Sequence, residues 1–130
     1  MGHLLLPWRL PLSFGVQLAG GCVILAVAFL IGALALTAMN RLQTPVAPNS
    51  VPRALVVRGP FRFSRNPIYV ALVTTTLGLG VFLASGWIVT SALVLWVLLD
   101  RLVVPAEEVV LEAEFPADYA RYKATVRRWL

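Results

Sequence analysis

The hydrophobic positions of the chain fall into long uncharged runs, and the charged residues collect between and after them. Residues 14–39 form the first run, which contains no charged side chain in 26 positions. A helix needs roughly 20 apolar residues to cross a bilayer, whereas the apolar core of a signal peptide has only about 7 to 15. The pattern therefore predicts a membrane-spanning helix over residues 14–39.

A second apolar run covers residues 67–99 and is interrupted by the small and turn-forming residues at positions 84–86. Its 33 residues are too many for one membrane helix and too few for two long ones. The interruption favours a tight hairpin between two shorter helices. We therefore predict a second helix over residues 67–83 and a third over residues 87–104, with Pro105 bending or ending the third.

Residues 40–66, between the two runs, contain four prolines and five arginines and no acidic residue. This composition predicts a loop. Because loops rich in arginine and lysine stay in the cytoplasm, we expect this loop on the cytoplasmic face. The N-terminus and the hairpin at 84–86 are then outside, and the C-terminal segment is cytoplasmic.

The last segment predicts an amphipathic helix over residues 116–129, with Pro116 at its first position. Its apolar residues recur at spacings of four, three, four and three, which place them on one helix face, and they are Phe115, Tyr119, Tyr122, Val126 and Trp129. We expect this helix to lie along the membrane surface with its polar face in water.

The composition agrees with a membrane protein, since 59% of the 130 residues are apolar and only 13% are charged. The pattern predicts an all-α integral membrane protein with about three membrane helices and a cytoplasmic C-terminal helix, as one domain over residues 1–130. The net charge of +5 comes mainly from residues flanking apolar runs, which favours contact with lipid head groups and not with nucleic acid. A single Cys22 and a single His3 predict neither a disulfide nor a metal site.

The hairpin should bring two groups of polar residues together on the cytoplasmic face. The first group precedes the second helix, where Asn66 suits an N-cap and Pro67 a first helical position. Free backbone donors there, with Arg62 and Arg65 alongside, would bind a carboxylate or phosphate, and Gly59 would let a ligand approach the backbone. The alternative is that these arginines only orient the chain and contact lipid phosphates.

The second group is the pair Glu107 and Glu108, which follows the third helix. These carboxylates could hold an ammonium group or a pair of hydroxyls. The alternative is that they only complement the helix dipole in a first turn. Tyr69, one turn into the second helix, could be a ligand contact or an interfacial aromatic.

The ordered pattern of these residues resembles the isoprenylcysteine carboxyl methyltransferase and phospholipid methyltransferase superfamily, membrane enzymes that use S-adenosylmethionine. The resemblance runs over residues 44–130 and includes the Glu pair and the spaced aromatics of the last segment. It implies a cytoplasmic pocket for S-adenosylmethionine and a lipophilic or lipid acceptor that enters from the bilayer. The residues it assigns to the cofactor are Gly59, Phe61, Arg65, Asn66, Pro67, Tyr69, Glu107 and Glu108.

The resemblance also leads to expectations about chemistry and assembly. An amine or thiol acceptor must lose a proton, whereas a carboxylate need not, and Glu107, Glu108 and Tyr69 are the candidates to accept it. Of these, we expect Tyr69 and Glu108 to be the catalytic residues. Asn66 stands where many carboxyl methyltransferases have histidine, which resembles the phosphatidylethanolamine branch, and Pro116 replaces a usual glycine. The region before residue 44 is short for the family, so we expect that a homodimer completes the fold.

Two other functions are compatible with the same residues. Sterol reductases, which use NADPH, share a similar C-terminal architecture but are much larger. A membrane module that keeps the scaffold without catalysing a reaction is the third interpretation. Cofactor preference distinguishes these functions, because only a methyltransferase should select S-adenosylmethionine.

Overall fold

The computed structural model describes residues 7–47 and 50–130, and within these ranges the chain forms helices and no strand. The expectation for His3 concerns a residue outside these ranges. The all-α prediction is confirmed. The elements in chain order are α1 (Phe14–Arg41), a 3₁₀ turn (Gly59–Arg62), α2 (Pro67–Phe82), α3 (Gly86–Leu98), a π-helical turn (Leu99–Val103), α4 (Val104–Glu114) and α5 (Pro116–Thr125).

Two helices of this part of the chain are long and apolar enough to cross a membrane. They are α1, with 28 residues, and the continuous helix Gly86–Glu114, with 29. Apolar side chains on both are turned outward, for example Phe29, which is 78% exposed, and Leu93, which is 59% exposed. Large exposed apolar faces of this kind are typical of helices covered by lipid.

The third predicted span does not reach this length. α2 is apolar but has only 16 residues, which rise about 24 Å, against roughly 30 Å for the hydrocarbon core of a bilayer. Of the three predicted membrane helices, two are therefore long and apolar enough to cross a membrane, and α2 is too short.

The sequence predicts that Pro105 bends or ends the third helix, but the helix does not end there. The helix passes through the π-helical turn at Leu99–Val103 and continues to Glu114. Proline lacks a backbone N–H, but Pro105 falls in the first turn of α4, directly after the wider turn, where that donor is not needed. The third helix therefore extends beyond its predicted end at residue 104.

The hairpin between α2 and α3 is tied to the segment that precedes α1. The backbone N–H of Leu10 donates to the carbonyl of Ala84 at 2.8 Å, and that of Gly86 donates to the carbonyl of Trp8 at 2.8 Å. The rings of Trp8 and Trp87 meet edge to face at 5.5 Å between centroids. These contacts fix the N-terminal segment against the end of the bundle that lies opposite the candidate site.

The C-terminal helix differs from its prediction in length and in surroundings. α5 ends at Thr125, and the chain is extended from Val126. Tyr119 and Tyr122 are 1% and 7% exposed, so the aromatic face packs against the protein instead of facing a membrane. Of the residues predicted to share one helix face, Tyr119 and Tyr122 lie within α5 and are covered by the loop before α2, whereas Val126 and Trp129 follow the end of the helix.

α1 and α2 approach closely at Gly21, and this contact can be tested. A Cβ atom at Gly21 would lie 2.6 Å from the Cβ of Phe82 and 2.7 Å from its Cα. Because that neighbour is partly backbone, we expect Gly21→Ala to destabilise the protein by about 1–3 kcal/mol. Thermal unfolding in detergent measures the change.

Gly15→Ala is the matched control, since a Cβ there has no atom within 4 Å. We expect it to leave the unfolding temperature unchanged or slightly raised, because alanine favours the helix over glycine. Equal unfolding temperatures for the two variants would contradict the close approach of α1 and α2.

Candidate active site

A cavity of about 300 Å³ lies where the C-terminal end of α1 meets the start of α2 and the middle of α4. Its wall is mostly apolar and includes Met39, Leu55, Ile68 and Val110. Residues from the segments 44–47 and 50–56 line one side, where the Thr44 hydroxyl contacts both the N–H and the carbonyl of Ala54 at 3.2 Å. The polar side chains on this wall include Arg65, Asn66, Tyr69 and Glu107.

The start of α2 brings several of the predicted residues to the cavity. Pro67 occupies the first turn and Asn66 the N-cap position, but the Asn66 side chain makes no capping hydrogen bond. Its amide instead donates to the carbonyl of Arg128 at 2.9 Å, while the Ser64 hydroxyl accepts from the Asn66 N–H at 3.1 Å. Asn66 thus begins the helix and also binds the C-terminal segment.

Tyr69 and Glu107 form a polar pair on the cavity wall. The Tyr69 hydroxyl donates to Glu107 Oε1 at 2.6 Å, a short distance typical of a charge-assisted hydrogen bond. Both residues line the cavity, and they come from α2 and α4. A carboxylate and a phenol in contact form a unit that can accept a proton from a bound group and pass it on.

Arg65 is largely buried and is held from two sides. One nitrogen, Nη1, donates to Glu108 Oε1 at 3.2 Å and to the Tyr119 hydroxyl at 3.0 Å, and the side chain is 10% exposed. Its Nε atom is buried without a hydrogen-bond partner in the described part of the protein. Buried donors are normally satisfied, and Arg65 lines the cavity, so the unpartnered nitrogen makes Arg65 a candidate ligand contact.

Glu108 lies behind Arg65 and not on the cavity wall. Both of its oxygens accept hydrogen bonds from Arg128, each at 2.9 Å, in the forked geometry that an arginine makes with a carboxylate. Arg128 also donates to Asp100 at 3.1 Å. The hydrogen bond to Glu108 is the main cause that raises the pKa of the Arg128 guanidinium.

Tyr122 holds the turn that precedes α2. Its hydroxyl donates to the carbonyl of Phe61 at 2.6 Å and approaches that of Ser64 at 3.3 Å. Burial raises the pKa of the Tyr122 hydroxyl, and burial likewise raises that of Tyr119. Both phenols therefore stay protonated well into alkaline solution and serve as hydrogen-bond donors.

The structure brings together most of the site residues that the sequence singled out. Those that line the cavity are Phe61, Arg65, Asn66, Pro67, Tyr69 and Glu107. Glu108 contacts Arg65 from behind, Gly59 adopts a positive φ of 60° in the turn, and Arg62 is exposed. These last three do not line the cavity.

Sequence reasoning did not assign Tyr119, Tyr122, Arg128 or Asp100 to the site. The two tyrosines were attributed to a membrane-facing stripe, although a phenol on such a stripe also suits a buried donor. Asp100 was the better signal, because a single acid at the end of a membrane helix usually has a functional partner. Arg128 had no local pattern that could reveal its partners.

The helical fold and this site define a small membrane-associated protein with a polar cavity at one end of its helices. Comparison with protein families identifies a class, since the model of the phospholipid methyltransferase family matches residues 16–118. The chain belongs to the phospholipid methyltransferase family. This result confirms the resemblance inferred from the motif. Neither the curated proteins nor the solved structures gave a match.

The contact between Tyr122 and the turn predicts the effect of Tyr122→Phe. The substitution leaves the carbonyl of Phe61 without this donor, so we expect a loss of about 1–3 kcal/mol in the free energy of unfolding at neutral pH. Thermal or denaturant unfolding at pH 7 measures the difference from the wild type.

The same pair of proteins should show a pH dependence of known sign. In the unfolded chain Tyr122 loses its proton near pH 10, whereas in the folded protein burial raises its pKa above that value. The contribution of Tyr122 to the free energy of unfolding is therefore complete below about pH 10 and is lost as the pH rises further. The stability difference between wild type and Tyr122→Phe should shrink above pH 10, and a constant difference would refute the burial of this phenol.

Proposed function

We propose that the protein transfers a methyl group from S-adenosylmethionine to a lipophilic or phospholipid acceptor at the membrane face. The observation that supports this most is the cavity whose mostly apolar wall carries Arg65 and the hydrogen-bonded pair of Tyr69 and Glu107. An apolar pocket with a few convergent polar groups is the usual form of a small-molecule site. Membership of a methyltransferase family supports the reaction class.

The residues present fit the polar groups of S-adenosylmethionine. The unpartnered Nε of Arg65 suits a carboxylate, because arginine is the preferred partner of that group. The Glu107 carboxylate suits an ammonium group or ribose hydroxyls, and the apolar wall around Phe61 and Leu55 suits an adenine ring. When bound, this cofactor supplies an electrophilic methyl group on a sulfonium.

The role of the chain in such a transfer is alignment and exclusion of water. Arg65 and Asn66 orient what is bound, and the apolar wall keeps the nucleophile unsolvated. For an amine or thiol acceptor, Glu107 takes up the proton that is released, with Tyr69 holding the carboxylate in place. We therefore assign proton acceptance to Glu107 instead of Glu108, which holds Arg65.

We further propose an orientation for this chain. α1 and the helix Gly86–Glu114 cross the bilayer, and α2 crosses with help from its polar flanks and local thinning of the lipid. The arginine-rich segment before α2 is then cytoplasmic and the N-terminus is outside. The cavity lies on the cytoplasmic face, within reach of lipid head groups.

Titration calorimetry of the detergent-purified protein tests the cofactor class. We expect saturable binding of S-adenosylmethionine and S-adenosylhomocysteine with dissociation constants on the order of micromolar, and no saturable binding of NADPH. Binding of NADPH alone would favour the reductase interpretation. Binding of neither would favour a module without this cofactor.

Variants of the cavity wall test the residues in the proposal. We expect Arg65→Ala and Glu107→Gln each to reduce methyl transfer to phosphatidylethanolamine in nanodiscs by at least about tenfold, because each removes a charged contact worth about 1.5–3 kcal/mol. Tyr69→Phe should raise the activation free energy of methyl transfer by more than it lowers the free energy of unfolding. Transfer of a radiolabelled methyl group measures the rate.

Arg53→Ala is the matched control, since Arg53 is an exposed arginine of the same loop that does not line the cavity. We expect its activity to stay within about twofold of the wild type, consistent with surface charges contributing little. An equal loss in Arg53→Ala and Arg65→Ala would assign the effect to overall charge and not to the cavity.

A further inference from the structure

We propose that residues 126–130 form a strap through which Arg128 positions the cavity wall. Arg128 does not line the cavity, yet its carbonyl accepts from Asn66 and its side chain holds Glu108, the partner of Arg65, and both Asn66 and Arg65 line the cavity. The inference rests on the proposed function, because it gives Arg128 a role in ligand binding at that same site. It makes Arg128 a positioning residue, with Asp100 as its anchor.

The strap is attached to the start of α2 by its backbone. The carbonyl of Arg127 accepts from the Arg65 N–H at 3.0 Å. The carbonyl of Arg128 accepts from the Asn66 amide at 2.9 Å and lies 3.4 Å from the Ser64 hydroxyl. Three consecutive residues before α2 are thus held by two consecutive carbonyls of the strap.

The side chain of Arg128 controls the orientation of Arg65 through Glu108. Arg128 holds both oxygens of Glu108, and Glu108 in turn accepts from Arg65 Nη1. The Glu108 and Arg65 side chains are 14% and 10% exposed, so solvent screens this contact only weakly. A change that releases Glu108 from Arg128 would let the carboxylate move and take the Arg65 guanidinium with it.

The long helix Gly86–Glu114 anchors the other end of the strap. Asp100, in the π-helical turn, accepts from Arg128 Nη1 at 3.1 Å and from the Trp129 ring nitrogen at 2.9 Å. The Trp129 ring also packs on Trp96 of α3, with 6.1 Å between centroids. The strap therefore links a turn of the membrane helix to the start of α2, across the base of the site.

The first experiment compares two adjacent arginines of the strap by calorimetry with S-adenosylhomocysteine. We expect Arg128→Ala to raise the dissociation constant at least about tenfold. The control is Arg127→Ala, whose exposed side chain is lost while its carbonyl remains, and it should stay within about twofold. Equal binding by the two variants would overturn the proposal.

Two changes at Asp100 separate positioning from a general structural role. Asp100→Asn keeps an oxygen that can accept both hydrogen bonds, whereas Asp100→Ala keeps none. We expect Asp100→Ala to raise the KM for S-adenosylmethionine in the methyl-transfer assay about tenfold, with kcat changed much less, and Asp100→Asn to restore most of the loss. A fall in kcat alone, or no rescue by Asp100→Asn, would contradict positioning through Arg128.

Hydrogen exchange distinguishes failure of this inference from failure of the proposed function, because it needs no ligand. The backbone N–H groups of Arg65 and Asn66 are hydrogen-bonded in the wild type. They should exchange at least about tenfold faster in Arg128→Ala than in Arg127→Ala. If the wild type binds no cofactor but this exchange difference appears, the positioning role of Arg128 is supported and the proposed function is contradicted. If the cofactor binds and the exchange rates of the two variants are equal, the positioning role of Arg128 is contradicted and the proposed function is unaffected.

Discussion

A chain of four alternating charges connects the membrane helices to the candidate site. It runs from Asp100 through Arg128 and Glu108 to Arg65, with contacts of 3.1, 2.9 and 3.2 Å. Its charges cancel, and each inner member lies between two groups of opposite sign. Charges removed from water are tolerated only when paired in this way, so the loss of one member leaves its neighbours uncompensated. The cavity wall depends on this chain because Arg65 is part of both.

The helical scaffold and the candidate site use different kinds of interaction. The helices expose apolar faces of the kind that lipid covers, and they contact each other where glycine allows close approach, as at Gly21 and Phe82. The end that carries the cavity is held by hydrogen bonds and ion pairs between segments distant in sequence. Tyr122 and the turn at Phe61 are one example, 61 positions apart. The chemistry is thus supported by polar contacts, and the scaffold by apolar ones.

The sequence singled out six residues that line the cavity but could not assign each residue its role. Glu107 and Glu108 are adjacent on α4, and successive residues of a helix point about 100° apart. One of them therefore faces the cavity and Tyr69, and the other faces Arg65 and the strap. Nothing in the pattern of adjacent residues decides which is which. The aromatic face of α5 posed the same difficulty, because an amphipathic helix has the same period on lipid and on protein.

Length and periodicity were sufficient for α1, α2 and the hairpin that follows, but not for the ends of the last helices. An uncharged run, a break at small residues and a basic loop indicated these elements, because such features depend on local chain geometry and on the thickness of a bilayer. The family motif added the expectation that the polar residues at the start of α2 and on α4 hold S-adenosylmethionine. Only the tertiary structure joined Asp100 to Arg128, 28 positions apart, and gave α5 its partner. Such contacts depend on how helices pack in space, and a long flexible arginine can reach many carboxylates until packing selects one.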